Sequence, residues 1–92
     1  MTLPNSGSSL SKKKVLIVDS NQENNLVLKT WFMTHPDFQL LGVFQSPQIA
    51  LGDLKNLSPE LVLVGIDIPN GIKFCKILRK KNPSVCIVAL IN

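Results

Sequence analysis

The chain is poor in the residues that most chemistry requires. It has a single histidine, His35, and six acidic residues, and no Ser-His-Asp, Cys-His or metal-ligand spacing occurs among them. No glycine-rich phosphate loop is present either, so the chain reads as a non-enzyme with no expected cofactor. Its two cysteines, Cys75 and Cys86, stand outside any metal spacing and in apolar surroundings, where cysteine behaves as a small buried hydrophobe. A reducing cytoplasm is the expected setting. The N-terminal stretch MTLPNSGSSLSKKK lacks the apolar core of a signal peptide, and no apolar run nears the roughly 20 residues of a membrane span. Neither secretion nor membrane insertion is expected.

What is present is the composition of one globular core: 92 residues, 45% hydrophobic and 17% charged. The net charge of +4 comes from basic residues gathered at Lys12, Lys13 and Lys14 and at Lys73, Lys76, Arg79, Lys80 and Lys81. The first group precedes a strand, and the second decorates one face and the end of a helix, where cations complement the helix dipole. A solvated face is the expected meaning, with an electrostatic footprint on a nucleic acid as the alternative.

Residues 1–12 are rich in Ser, Gly, Asn and Pro and read as a flexible leader, with folded structure beginning near Lys13. The run Val15 to Val18 is a short β-branched apolar stretch of the kind buried on both faces of a parallel sheet. A helix follows, capped by Ser20 or Asn21, with Leu26, Val27, Trp31 and Phe32 at helical spacing and His35-Pro36 as its stop. Trp31 and Phe32 are expected in the core, and His35 reads as a helix-end residue. Phe38 to Phe44 predicts a second strand. Ser46-Pro47 then opens a short helix, weakened by Gly52, with Ile49, Ala50, Leu54 and Leu57 as its apolar positions.

Leu61 to Ile66 is again a buried strand, followed by a loop from Asp67 to Gly71. A third helix carries Ile72, Cys75, Ile77 and Leu78 and ends at Asn82-Pro83, before a fourth buried strand from Val85 to Ile91. Strands alternating with helices through short connections specify right-handed β-α-β units and an α/β, doubly wound parallel sheet. In such sheets ligands bind outside the carboxyl ends of the strands, where the strand order reverses. That rule directs attention to Asp19, Ser20, Gly65 through Asp67, and Ile91 to Asn92.

In order and spacing, KKVLIVDSNQEN, SPELVLVGIDIPNGIKFCKILRKKNP and VCIVALIN resemble the receiver domain of bacterial response regulators. The likeness covers 13–92 and implies a flavodoxin-like receiver fold, incomplete at four strands and three helices. It implies a phosphoryl-acceptor aspartate at the end of the third strand, four residues before the loop proline. Pro69 is that proline, so the acceptor position holds Gly65, which has no nucleophile. A register that makes Asp67 the acceptor breaks the match of the preceding strand. The magnesium-binding acidic pair of the family corresponds to Asp19 and Ser20, so only one acid remains. Asp19 and Asp67 could supply at best a weak residual magnesium site.

The family's switching hydroxyl corresponds to Ile91, its lysine lies in a fifth strand that these residues do not include, and the loop around Pro69 is two residues short before Gly71. Asp19 has two readings that stay open here, an exposed carboxylate helping to cap the next helix or a residual cation ligand. Pro69-Asn70-Gly71 reads as a turn.

The resemblance therefore implies a degenerate, partial receiver in two-component phosphorelay signalling, acting by protein-protein interaction without aspartyl phosphorylation. A histidine kinase or an output domain is the partner it implies. An uncovered fourth strand predicts pairing with a partner or a second copy. The alternatives are a basic nucleic-acid-binding fragment and an inactive truncated product.

Overall fold

The computed structural model describes residues 12–91, the side chain of Lys55 excepted. The leader assigned to residues 1–12 lies outside them except for Lys12, and Asn92 lies outside them too. The elements run β1 Lys13–Val18, α1 Gln22–Met33, β2 Phe38–Phe44, α2 Pro47–Asp53, a 3-10 turn Leu54–Asn56, β3 Leu61–Gly65, α3 Gly71–Lys81 and β4 Cys86–Leu90. The strands form one parallel sheet in the order β2-β1-β3-β4. The expected α/β doubly wound architecture is the one observed.

The sheet forms because β1 and β3 are apolar on both faces and therefore belong in its middle. Val15 to Val18 and Val62 to Val64 are buried, and alternate side chains feed two cores. On one face Val15, Ile17 and Leu63 pack with Phe32 of α1. On the other, Leu16, Val18, Val62 and Val64 meet Ala50, Phe74, Leu78 and Val85 beneath α2 and α3. Each fully buried aliphatic or aromatic side chain contributes about 1.5–3 kcal/mol, so this double-sided burial carries most of the stabilisation. Leu41 forms a bulge in β2, where the pairing with β1 slips by one residue between Val15 and Leu16.

The helix ends follow local rules. Asn21, rather than Ser20, caps α1, its side chain accepting the Asn24 N–H at 2.9 Å. Ser46 caps α2 in the same way, accepting from the Ile49 N–H at 3.3 Å with Pro47 behind it. At its other end α1 is closed by His35, whose Nδ1 lies 2.6 Å from the Trp31 carbonyl, with the imidazole stacked on the Trp31 indole. Arg79 fastens α3 to the turn before β4 by donating to the carbonyls of Pro83 and Val85.

Several apolar positions sit elsewhere than the sequence pattern predicts. Leu26, Val27 and Trp31 are exposed, as are Ile49 and Ile72. On α1 the inward line is Asn25, Leu28 and Phe32, so the apolar stripe straddles the helix flank and a polar residue joins the buried side. On α3 the inward side chains are Phe74 and Leu78, with Phe74 absent from the predicted set. The fourth strand, expected to be buried, is the sheet's outer strand among the described residues, with Val88 at 41% exposure. Cys86 on it is exposed rather than buried, at the end of that outer strand away from Leu90, which packs against the cluster under α1. Cys75, half-buried on α3, meets the expectation in part, and burial pushes its thiol pKa up.

Candidate functional site

The chain leaves β1 for β2 on one side and β3 for β4 on the other, so strand order reverses between β1 and β3. The register there pairs Val18 with Val64, which brings Asp19 beside Gly65 just past the paired residues. The Asp19 N–H bonds the Phe44 carbonyl at 3.0 Å, and the Ile66 N–H bonds the Leu90 carbonyl at 3.2 Å. The carboxyl ends of all the strands are thereby held in one line.

Asp19 is fully buried, at 0% exposure. Its carboxylate does not point outward but folds over Gly65. A Cβ placed on Gly65 would stand 2.5 Å from Asp19 Oδ1 and 2.7 Å from Cγ, closer than non-bonded atoms can approach. Gly65 is thus the residue that leaves room for Asp19. Oδ1 accepts the Asn21 N–H at 3.3 Å, whereas Oδ2 has no hydrogen-bond partner. The expected exposed, capping Asp19 is therefore corrected on exposure: it touches the α1 entry from a buried position, and the helix cap itself is Asn21.

Asn25 completes this centre and was not predicted. Its side-chain amide donates to the main-chain carbonyl of Asp19 at 2.6 Å, in a buried position. Its own Oδ1 lacks a partner. The signal that could have found it is spacing: Asn25 lies seven residues before Phe32, on the helix line that faces the sheet.

The loop after β3 closes the other side. Asn70 adopts the left-handed conformation, φ 65°, and lets the chain turn sharply into α3. Gly71, the first residue of α3, lies against the Gly65 carbonyl, where a Cβ would come within 2.6 Å of the oxygen. Ile68 is buried under this turn, while Ser20, Asp67, Pro69 and Ile91 are exposed around the rim.

The centre thus contains one buried carboxylate, a glycine and an asparagine amide. No nucleophile stands at position 65, and Asp19 is shielded from any donor in solution. Magnesium requires several hard oxygens in near-octahedral array. The residues present do not make such a set, and among the described residues no three His, Cys, Asp or Glu side chains come together. No helix among them is long and apolar enough to cross a membrane.

No protein-family model matches the chain. A protein-glutamate methylesterase/protein-glutamine glutaminase of Caulobacter vibrioides is 31% identical over 86 residues, covering 90% of this chain and 25% of that protein. One of the group 3 operon of Rhodopseudomonas palustris is 29% identical over 79 residues, covering 84% and 22%. The chain spans only 22% to 25% of the length of these two relatives. Among solved structures, the response regulator domain of Thermotoga maritima CheB superposes with TM-score 0.77 at 27% identity, over 87% of this chain and 60% of that one. The isolated REC domain of RcsB from Salmonella enterica serovar Typhimurium gives 0.78 at 18% identity, over 87% and 62%, a likeness of fold alone.

Proposed function

The described residues carry the receiver domain of response regulators, and on that premise we propose that this one is a pseudo-receiver, signalling by protein contact without aspartyl phosphorylation. The observation that carries the reading is the Asp19 carboxylate lying over Gly65, 2.5 Å from where an acceptor's Cβ would be. The acceptor position has neither a nucleophile nor the space for one while Asp19 keeps this place. Ser20 and Ile91 stand where the resemblance calls for an acid and a hydroxyl, and each lacks that group. The reading assigns no cofactor and gives Asp19 and Asp67 no more than a weak residual hold on magnesium.

Function by contact draws support from β4. The Cys86 N–H and the Leu90 carbonyl bond inward toward β3, so in a parallel ladder Ile87 and Ala89 turn their backbone groups outward. A strand of a partner, or of a second copy, can add there. A histidine kinase or an output domain is the partner class that the resemblance suggests.

The test is incubation of the chain with acetyl phosphate, and separately with beryllofluoride, each with magnesium, read by intact mass and by fluorine NMR. No adduct is expected. A magnesium-dependent adduct on Asp67 or Asp19 would overturn the reading.

A further inference from the structure

The helix α2 ends after 7 residues and α3 runs for 11, so the shorter helix leaves part of its neighbour's flank uncovered. Two clefts open along this seam of α3, the first against α2 and the second against the 3-10 turn and the loop after it. The first, about 210 Å³, has Pro47, Leu51, Phe74 and Ile77 in its wall and Lys73 at its edge. The second, about 260 Å³, has Leu54, Leu57 and Leu78 beside the polar Ser58 and Asn82 in its wall and Lys81 at its edge. No aspartate or glutamate lines either cleft.

The cations of α3 are not all explained by helix electrostatics. Arg79, Lys80 and Lys81 occupy the last turn, where they favour the dipole. Lys73 stands in the first turn, which contains no acid, and a cation there opposes the dipole. It earns no local stabilisation from that position. What Lys73 and Lys81 share is the rim of the seam, eight residues apart on α3, or about 12 Å along its axis.

From this charge pattern we propose that the α2-α3 seam is a docking groove for an acidic amphipathic helix of a partner protein. Apolar anchors at i, i+3 or i+4 and i+7 would enter the two clefts, and acids about two turns apart would meet Lys73 and Lys81. A nucleic acid suits the seam less well, because Phe74, its one aromatic ring, is buried at 1% exposure and offers no stacking platform. The surface is separate from the β4 edge and does not depend on the loss of the acceptor.

The test uses the whole chain, isotope-labelled, and a synthetic helical peptide of about 14 residues with leucine anchors flanked by glutamates. Its lysine-flanked counterpart and a single-stranded oligonucleotide serve as rivals. The glutamate peptide is expected to shift the amides of Leu51, Lys73, Ile77 and Lys81. The charge-reversed pair Lys73→Glu and Lys81→Glu, both exposed, is expected to weaken binding by about tenfold or more with unchanged thermal unfolding. Lys12→Glu with Lys13→Glu, an equal change in net charge, is expected to leave affinity within about twofold. Equal binding of the lysine peptide, shifts confined to β4, tighter oligonucleotide binding at the same amides, or equal losses in both reversed pairs would overturn the proposal.

Discussion

The Asp19 carboxylate and the α-carbon of Gly65 claim adjoining space so closely that a methyl group on Gly65 would lie 2.5 Å from Oδ1. The two positions are therefore coupled, and neither can be changed without reference to the other.

Gly65→Ala is expected to destabilise the fold by about 1–3 kcal/mol through overpacking. In an Asp19→Ala background, where the carboxylate is gone, the same change should cost far less. Urea unfolding of the two single variants and the double variant closes the cycle. Additive effects would show that Asp19 does not occupy that volume in solution.

Asn25 offers a second probe, because its amide is the donor to the Asp19 carbonyl in a buried setting. Asn25→Ala is expected to cost about 1–3 kcal/mol, leaving that carbonyl unpaired. Asn25→Asp removes the donor and buries a second carboxylate near the first, so it should be the more damaging at neutral pH. Burial and the neighbouring acid raise the folded-state pKa of the introduced group, which places the fold's preference on its protonated form. The deficit should accordingly be smallest at acid pH and grow as pH rises through that raised value. Thermal melts of both variants from pH 4 to 8 measure it, and a pH-independent difference would contradict the mechanism.

The strand edge predicts association. Residues 82–92 contain no charged side chain, so the usual blunting of an edge by lysine is missing from β4. Sedimentation velocity of the chain should show mass rising with concentration, and Val88→Lys should return it toward the monomer. A single monomeric boundary for the unaltered chain at every concentration would count against pairing through this edge.

The two thiols should separate in reactivity. Cys86 is exposed, whereas Cys75 is half-buried and its pKa is raised by that burial. At a given pH Cys75 holds less thiolate than an ordinary cysteine, and its reaction should accelerate only as pH climbs above the usual thiol range. Maleimide labelling followed by mass should give a fast phase that Cys86→Ser abolishes. A surviving fast phase in that variant would place the reactive thiol on α3.

Much of this fold is legible in the residue order. The β-branched runs of β1 and β3, the Asn21 and Ser46 caps, Pro47 at a helix start and the stops at Pro36 and Pro83 act within a few residues of themselves. Local rules of dihedral preference and hydrogen bonding suffice for these, as does the parallel sheet that their alternation requires. The lack of a carboxylate at position 65 is likewise plain in the sequence.

Tertiary structure alone decided which way the remaining groups face. An apolar flank such as Leu26, Val27 and Trp31 on α1 is inward or outward according to how the helix is rotated on the sheet, and here Asn25, Leu28 and Phe32 are the residues turned inward. Whether β4 is buried depends on what lies beyond it, which its own residues do not encode. Asp19 could be read as an exposed cap because a sequence carries no distances. Only the register of β1 against β3 brings its carboxylate over Gly65, because that pairing joins residues more than forty positions apart.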